Sequence, residues 1–196
     1  MVDTSGTLPA LPAIFPDQLA PVVLNRPIDE ERELLMMRWG FPSPFKVSRS
    51  LLVTNVRNAE NRHWKPNLRP EFRCLVPVTS FCEYDHSSGK AVPTWFALDD
   101  SRPLFFFAGI WRSWRGTRGT KANPVEGNHM LFSFLTTDAN AEMGAVHEKA
   151  MPVCLLTVAD RETWMRGEVE DALALQRPAP DGTLRVVATG AGQDAV

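Results

Sequence analysis

Little in this chain points to a bound group or a membrane. No apolar run in the 196 residues approaches the length of a membrane span. The Pro-rich N-terminus carries an acid and has neither a basic n-region nor a long apolar h-region, so no secretory signal is indicated and a cytoplasmic address is expected. Cysteine is scarce: Cys74, Cys82 and Cys154 lie in apolar, strand-like contexts without C-x-x-C spacing or a second ligand pair, which argues against zinc and for reduced, structural thiols. No G-x-G-x-x-G, P-loop or metal-spaced His/Cys cluster occurs, so no cofactor is implied. There is no internal repeat, no low-complexity segment, and no spacing like a nucleophile elbow or protease triad.

Strong charge of one sign is also missing. A net charge of −2 and a pI near 6.1 exclude a protein that coats nucleic acid by charge alone. The average conceals a segregation: Lys46 to Arg73 holds seven basic and two acidic residues, Arg102 to Lys121 five basic and none acidic, and Asp160 to Asp171 five acidic and two basic. Two basic segments could build one DNA-facing groove.

The 44% hydrophobic and 22% charged shares are those of an ordinary globular domain, and the length allows one substantial core. Residues 1 to 30 read as an extended, proline-punctuated wrap, followed by a polar turn over Asp29 to Glu33. Short β-branched or aromatic runs predict strands at Leu34 to Trp39, Leu51 to Asn55, Cys74 to Val76, Thr94 to Leu98, Leu104 to Ala108, Met130 to Thr136 and Val153 to Thr157. Helical spacing fits Asn58 to Leu68, Ala139 to Val146 behind an Asp138 cap, Ala159 to Met165 with Asp160 in the first turn, and Glu168 to Leu175. The expectation is a single α+β domain, β-rich, over residues 1–189, with a frayed tail over 190–196.

Three separated stretches carry the chemistry: Asn55-Val56-Arg57, Arg73-Cys74-Leu75-Val76-Pro77 through Glu83-Tyr84, and His147-Glu148-Lys149-Ala150-Met151-Pro152. With Trp39-Gly40-Phe41 upstream and Phe107-Ala108-Gly109-Ile110-Trp111 downstream, the pattern resembles the SOS response-associated peptidase (SRAP) family from about Leu8 to Val187. The resemblance implies antiparallel and mixed strands forming a barrel-like fold with a few short helices. It also implies an enzyme that processes abasic sites in single-stranded DNA. In that family an N-terminal cysteine, exposed by autoproteolytic removal of the initiator methionine, traps the open-ring aldehyde with its α-amine and thiol as a thiazolidine.

The resemblance gives Asn55 the contact to nucleophile and sugar, Glu83 the acid/base role, His147 a place near the ring oxygen, and Arg57 a phosphate. Lys149 is a second phosphate cation, and Trp39, Trp64 and Tyr84 are candidate stacking residues. Each residue also has a plain structural reading: Asn55 could end a strand, Glu83 could face solvent, and His147 could be a satisfied surface histidine. Their co-occurrence in the family order favours a shared site. Trp95, Trp111 and Trp114 are read as core.

Two departures stand out. The family's frequent His-x-Arg-Met-Pro is one residue longer here, with Lys149 offering a point charge in place of arginine's planar fork, and Tyr84 replaces a frequent tryptophan. The larger departure is Val2 where the family has cysteine. The family usually carries a further strand and helix ahead of the segment matching Leu8 to Asp17, so Met1 is read as an internal or misassigned start, and a missing strand would leave an open edge favouring homo-oligomers. No internal cysteine has a free α-amine. The chain is therefore expected to be crosslink-deficient and to bind abasic or single-stranded DNA weakly, with a noncovalent single-stranded-DNA module as the alternative reading.

Overall fold

The computed structural model describes residues 1–26, 28–29, 31–44 and 52–194. In chain order the strands are β1 (Val2–Asp3), β2 (Leu19–Asn25), β3 (Arg32–Trp39), β4 (Phe41–Pro42), β5 (Leu52–Val53), β6 (Asn55–Val56), β7 (Arg73–Val78), β8 (Phe81–Asp85), β9 (Val92–Ala97), β10 (Phe105–Gly119), β11 (Pro124–Thr137), β12 (Met151–Pro152), β13 (Cys154–Leu155) and β14 (Arg185–Thr189). Three short helices are interspersed: α1 (Ala141–Gly144), α2 (Val158–Arg166) and α3 (Val169–Leu173).

Five strands close on themselves. β2 pairs antiparallel with β3 and β7, β7 with β10, and β10 with β11, and a parallel pairing of Leu131 and Phe132 with Arg38 and Trp39 joins β11 to β3. In the closed ring β2 and β7 are buried on both faces over most of their length, as are the barrel halves of β10 and β11. Val22, Leu24, Cys74, Val76, Phe107 and Phe132 belong to one core cluster, within the barrel. The alternate residues Val23, Leu75, Ala108, Ile110 and Leu131 pack outward against Trp164 and Met165 of α2, Ala172 of α3 and Trp64. Gly109 permits the close approach of β7 and β10: a Cβ there would lie 2.7 Å from Cys74 Sγ and 2.9 Å from Val76 Cγ2. A separate sheet, β14-β9-β8, stacks Phe81 on Phe96 and sets it edge-to-face against Phe105 and Phe107 of β10.

Arg73 is fully buried where β7 begins. Its Nε donates to Leu68 O at 2.5 Å, and one terminal nitrogen donates to Trp164 O at 2.9 Å and Gly167 O at 2.7 Å, carbonyls at the end of α2. A cation at a helix C-terminus satisfies orphan carbonyls and complements the dipole. Burial pulls the guanidinium pKa down to about 10, opposed by Glu168 and Glu71, so it stays charged at neutral pH.

Several expectations are corrected. The N-terminal wrap contains β2, a full barrel strand. Proline had masked it, but Pro21 is paired only to β3, while the bonds to β7 fall at Val23 and Leu24. Asn58 to Leu68 forms turns and a 3₁₀ turn (Lys65–Leu68) instead of an α-helix. α1 is capped by Asn140, whose side chain accepts from Met143 N, and not by Asp138. α2 begins with a capping box between Thr157 and Asp160. The expected strand over Leu51 to Asn55 becomes β5 and the start of β6, Leu51 itself lying outside the described residues.

The tail is pinned through Asp194, which is 4% exposed and takes two bonds from Arg102 and one from Ser80. Beside β2, β3 is paired with β1 at Glu33 and Leu34 and with β11 at Arg38 and Trp39. Among the described residues no helix is long and apolar enough to cross a membrane.

Candidate active site

β3, β7 and β11 all finish at one end of the barrel, where β2 and β10 begin; β6 and β12 pair with β11 towards that end, whereas Arg73 lies at the start of β7, at the other end. β6 lies parallel to β11 with Asn55 opposite Phe134 and Val56 opposite Leu135, so Val56 is buried and Asn55 is exposed. Arg57 follows directly. Its guanidinium is ion-paired with Asp138 just past the end of β11, and it also donates to Lys149 O at 3.4 Å.

His147 comes from the loop after α1. That helix is short, but it is anchored: Ala141 N donates to Asp181 and Gly182 N to Glu142, while His147 N closes the turn onto Met143 O at 2.7 Å. Two residues on, Lys149 meets Arg57, and β12 returns the chain to Thr136 and Thr137.

Glu83 approaches from the small sheet. The regular pairing of β8 with β9 (Cys82 with Trp95, Glu83 with Thr94) places Glu83 on the same face as buried Phe81, with Cys82 and Tyr84 on the other. This half-buried carboxylate accepts no hydrogen bond among the described residues. Burial raises its pKa above the ordinary carboxylate value, and the charge of nearby His147 partly opposes that rise. A carboxyl group able to hold a proton at higher pH, beside an imidazole, suits general acid/base work.

The expected residues are not equally placed. Arg57 meets Lys149, Asn55 on β6 lies two positions before Arg57, and Glu83 is near enough to His147 to feel its charge. Trp39 stacks on Phe134 at 5.5 Å and donates through its indole to Thr54 O, half-buried beside Asn55's strand. Tyr84 is 45% exposed but lies on the opposite face of β8 from Glu83. Trp64 is a correction: it is 7% exposed, packed between Phe41 and His63 in the outer core, so neither ring face is open to a base.

The second basic segment is also corrected. Arg118 is buried against Asp17, Arg102 is bound to Asp194, and Arg112 lies over the Phe41 ring, which leaves Arg115 and Lys121 exposed on the β10–β11 hairpin. In the first basic segment Lys46 and Arg49 lie outside the described residues, and Arg73 serves the fold. Cys74 and Cys154 are desolvated, which pushes both thiol pKa values up, that of Cys154 to about 12, so neither is an activated nucleophile. Among the described residues no cluster of His, Cys, Asp and Glu could hold a metal ion.

Two participants were not foreseen as such. Asp138 had been read as a helix cap but pairs with Arg57, and Gln176 donates to Arg57 O and Thr136 O from outside every motif. No local pattern singles out Gln176.

The architecture is thus a closed β-barrel with a carboxylate, an imidazole, an amide and cations at one rim. The profile of the SOS response associated peptidase (SRAP) family matches residues 4–190, and the chain belongs to that family. It is 31% identical over 170 residues to the abasic site processing protein YoqW of Bacillus subtilis (strain 168), covering 83% of this chain and 70% of that protein. It is 30% identical to YobE, an abasic site processing protein of the same organism, covering 83% and 71%. Crystal structures of proteins from Bordetella bronchiseptica (TM-score 0.69, 23% identity, 90% and 85% covered) and Bacteroides thetaiotaomicron (TM-score 0.67, 21% identity, 86% and 72% covered) share the fold.

Proposed function

We propose that this protein recognises abasic sites in single-stranded DNA, with the rim formed by Asn55, Arg57, Glu83 and His147 as the lesion-binding site. The observation that carries the reading is Glu83, a half-buried carboxyl group on the core face of β8 that accepts no hydrogen bond among the described residues and lies near enough to His147 to feel its charge. An abasic sugar is mostly a closed hemiacetal. Opening it moves one proton off the anomeric hydroxyl and one onto the ring oxygen, and a protonated Glu83 with a neighbouring imidazole can serve as the donor and acceptor. Asn55, exposed at the strand end, offers an amide to the sugar hydroxyls, while Arg57 and Lys149 supply charge to flanking phosphates. The abasic-site names of the relatives support the same assignment.

Capture of the aldehyde needs an amine and a thiol on one residue, and a polypeptide of this sequence offers no cysteine with a free α-amine. Residue 2 is Val2, paired with Glu33 near the start of β3, whereas the site lies by the end of β3, at Trp39. A polypeptide beginning Met1-Val2 therefore binds the lesion without forming a lasting thiazolidine, and a version extended by an added N-terminal Met-Cys segment crosslinks after losing its methionine. Proteolysis in this reading is confined to that self-processing.

The test is a denaturing gel of both versions with single-stranded DNA carrying one abasic site. A heat-stable shifted band for the extended version alone is the expected result. A band for the unextended chain would overturn the crosslink assignment, and absence of any abasic-site preference in either, with both folded, would overturn the reading.

A further inference from the structure

The two residues of β6 are a short hold for a segment that carries both Asn55 and Arg57. Their ladder to β11 ends at Val56, so the carbonyl of Arg57 lies beyond the last register pair. The next position on β11, Thr136, stands opposite Pro152 of β12 in a pair that exchanges no backbone hydrogen bond, because Val153 N donates to Leu135 O, so β12 gives the Thr136 carbonyl no donor. Two backbone acceptors at the rim therefore lack the donors that a longer ladder would supply.

Gln176 fills both. Its side-chain Nε2 donates to Arg57 O at 2.7 Å and to Thr136 O at 2.9 Å, and its own carbonyl accepts from Thr137 Oγ1 at 3.4 Å. Both side-chain partners are carbonyl oxygens, so the NH₂ end of the amide must face them. The backbone of Gln176 is in turn held just past α3, its N–H donating to Leu173 O at 2.9 Å. One amide thus ties the residues after α3 to the end of β11 and to the backbone of Arg57, whose guanidinium reaches Asp138 and Lys149.

We propose that Gln176 is a positioning residue for the lesion site: its amide clamps the Asn55–Arg57 segment onto the end of β11, so that Arg57 is presented to a phosphate beside the abasic sugar. The inference rests on the DNA-binding reading above for its functional consequence, though not for the clamp itself. The chemistry is specific to glutamine. Methionine matches its length but donates nothing, glutamate sets a third acceptor against two carbonyls, and asparagine is too short to reach both.

The experiment uses the whole chain with Gln176→Met, Gln176→Asn, Arg57→Met and the Gln176→Met/Arg57→Met double variant. Hydrogen exchange over residues 55–58 and fluorescence-anisotropy binding to a single-stranded oligonucleotide with one abasic site, at 50 to 200 mM salt, are read in parallel. In Gln176→Met, exchange over 55–58 should rise about tenfold, the scale of one lost hydrogen bond, while the barrel strands stay protected. One phosphate contact on a single strand contributes about 0.7 to the log–log salt slope, so wild-type affinity should fall roughly 2.6-fold further across that salt range than either single variant's. The double variant should match Arg57→Met alone. Asparagine should give a smaller change of the same kind, which keeps the test open if the methionine variant folds poorly.

Unchanged exchange over 55–58 overturns the clamp. Raised exchange with an unchanged salt slope overturns its role in phosphate contact, as does an additional loss in the double variant. If the wild type shows no DNA binding, the DNA reading fails on its own, and the exchange result still decides the clamp.

Discussion

Replacing Arg73 tests whether a motif residue in a basic segment serves the fold or the DNA. In Arg73→Met the side chain keeps comparable length, but the three carbonyls of Leu68, Trp164 and Gly167 lose their donors and the Trp164 ring loses the guanidinium 5.6 Å from its centre. Charge-assisted hydrogen bonds contribute about 1.5–3 kcal/mol each, which would sum to well above 4 kcal/mol. Against this, methionine avoids desolvating a guanidinium, a cost of several kcal/mol. Breaking a buried charged network usually leaves a net loss of about 3–5 kcal/mol, so about 4 kcal/mol is expected. For a domain of this size that lowers the melting temperature by on the order of 10 °C. Arg73→Lys, with one compact ammonium in place of a fork, should recover about half. Thermal and urea denaturation measure it, with abasic-DNA binding read well below the transition. An Arg73→Met protein within about 1 kcal/mol of wild type, or one of full stability that has lost DNA affinity, would refute the reasoning.

Other expectations follow from named contacts. Glu83→Gln should stabilise the protein at neutral pH: the native carboxyl titrates above its ordinary value of 4.5, so the native state binds more protons than the unfolded one in that window and stability falls as pH rises through it. The melting-temperature difference between variant and wild type should be small near pH 4 and widen by pH 7.5; a constant or reversed difference counts against the burial of Glu83. Asp138→Asn removes the counter-ion that a DNA phosphate must displace from Arg57, so affinity for abasic single-stranded DNA should increase by about two- to fivefold at low salt, and weaker binding would show that Asp138 orders Arg57 productively instead. Gly109→Ala should cost about 1–3 kcal/mol in denaturant unfolding because its Cβ meets Cys74 and Val76, and the double variant Gly109→Ala/Cys74→Ala should regain part of it.

Much of the architecture could be read from the chain because strand signals are local. Apolar β-branched and aromatic runs bounded by breakers gave the positions of β3, β7, β9, β10, β11 and β13, and Asp160 with the following spacing gave α2, though its cap Thr157 had been read as the end of a strand. Local signals failed where partners from elsewhere decide the outcome. Proline suggested a wrap over Leu19 to Asn25, yet strands on either side accommodate it. A polar, small-residue C-terminus looked frayed, yet Asp194 finds Arg102 and Ser80, more than 90 residues away along the chain. The 14-residue and 15-residue arms of the central hairpin were seen only as their apolar halves, since their outer parts are polar on one side.

The same division holds at the site. Asn55, Glu83, His147 and Arg57 could be named as candidates because residue identities in a family order are a one-dimensional signal. Their chemistry was not: the environment of Glu83 depends on which face of β8 it shares with Phe81 and on a histidine 64 residues later, and the availability of each basic residue depends on its partner. Trp64 and Arg73 carry the right chemistry for DNA and are spent on packing, while Gln176, without any motif, reaches two backbone carbonyls at the rim. The sequence by itself determined the strand content, the family and the residue types at the rim, because those follow from composition and local pattern. Only the tertiary structure decided burial and charge pairing, because desolvation and Coulomb energies depend on distances between residues far apart in the chain.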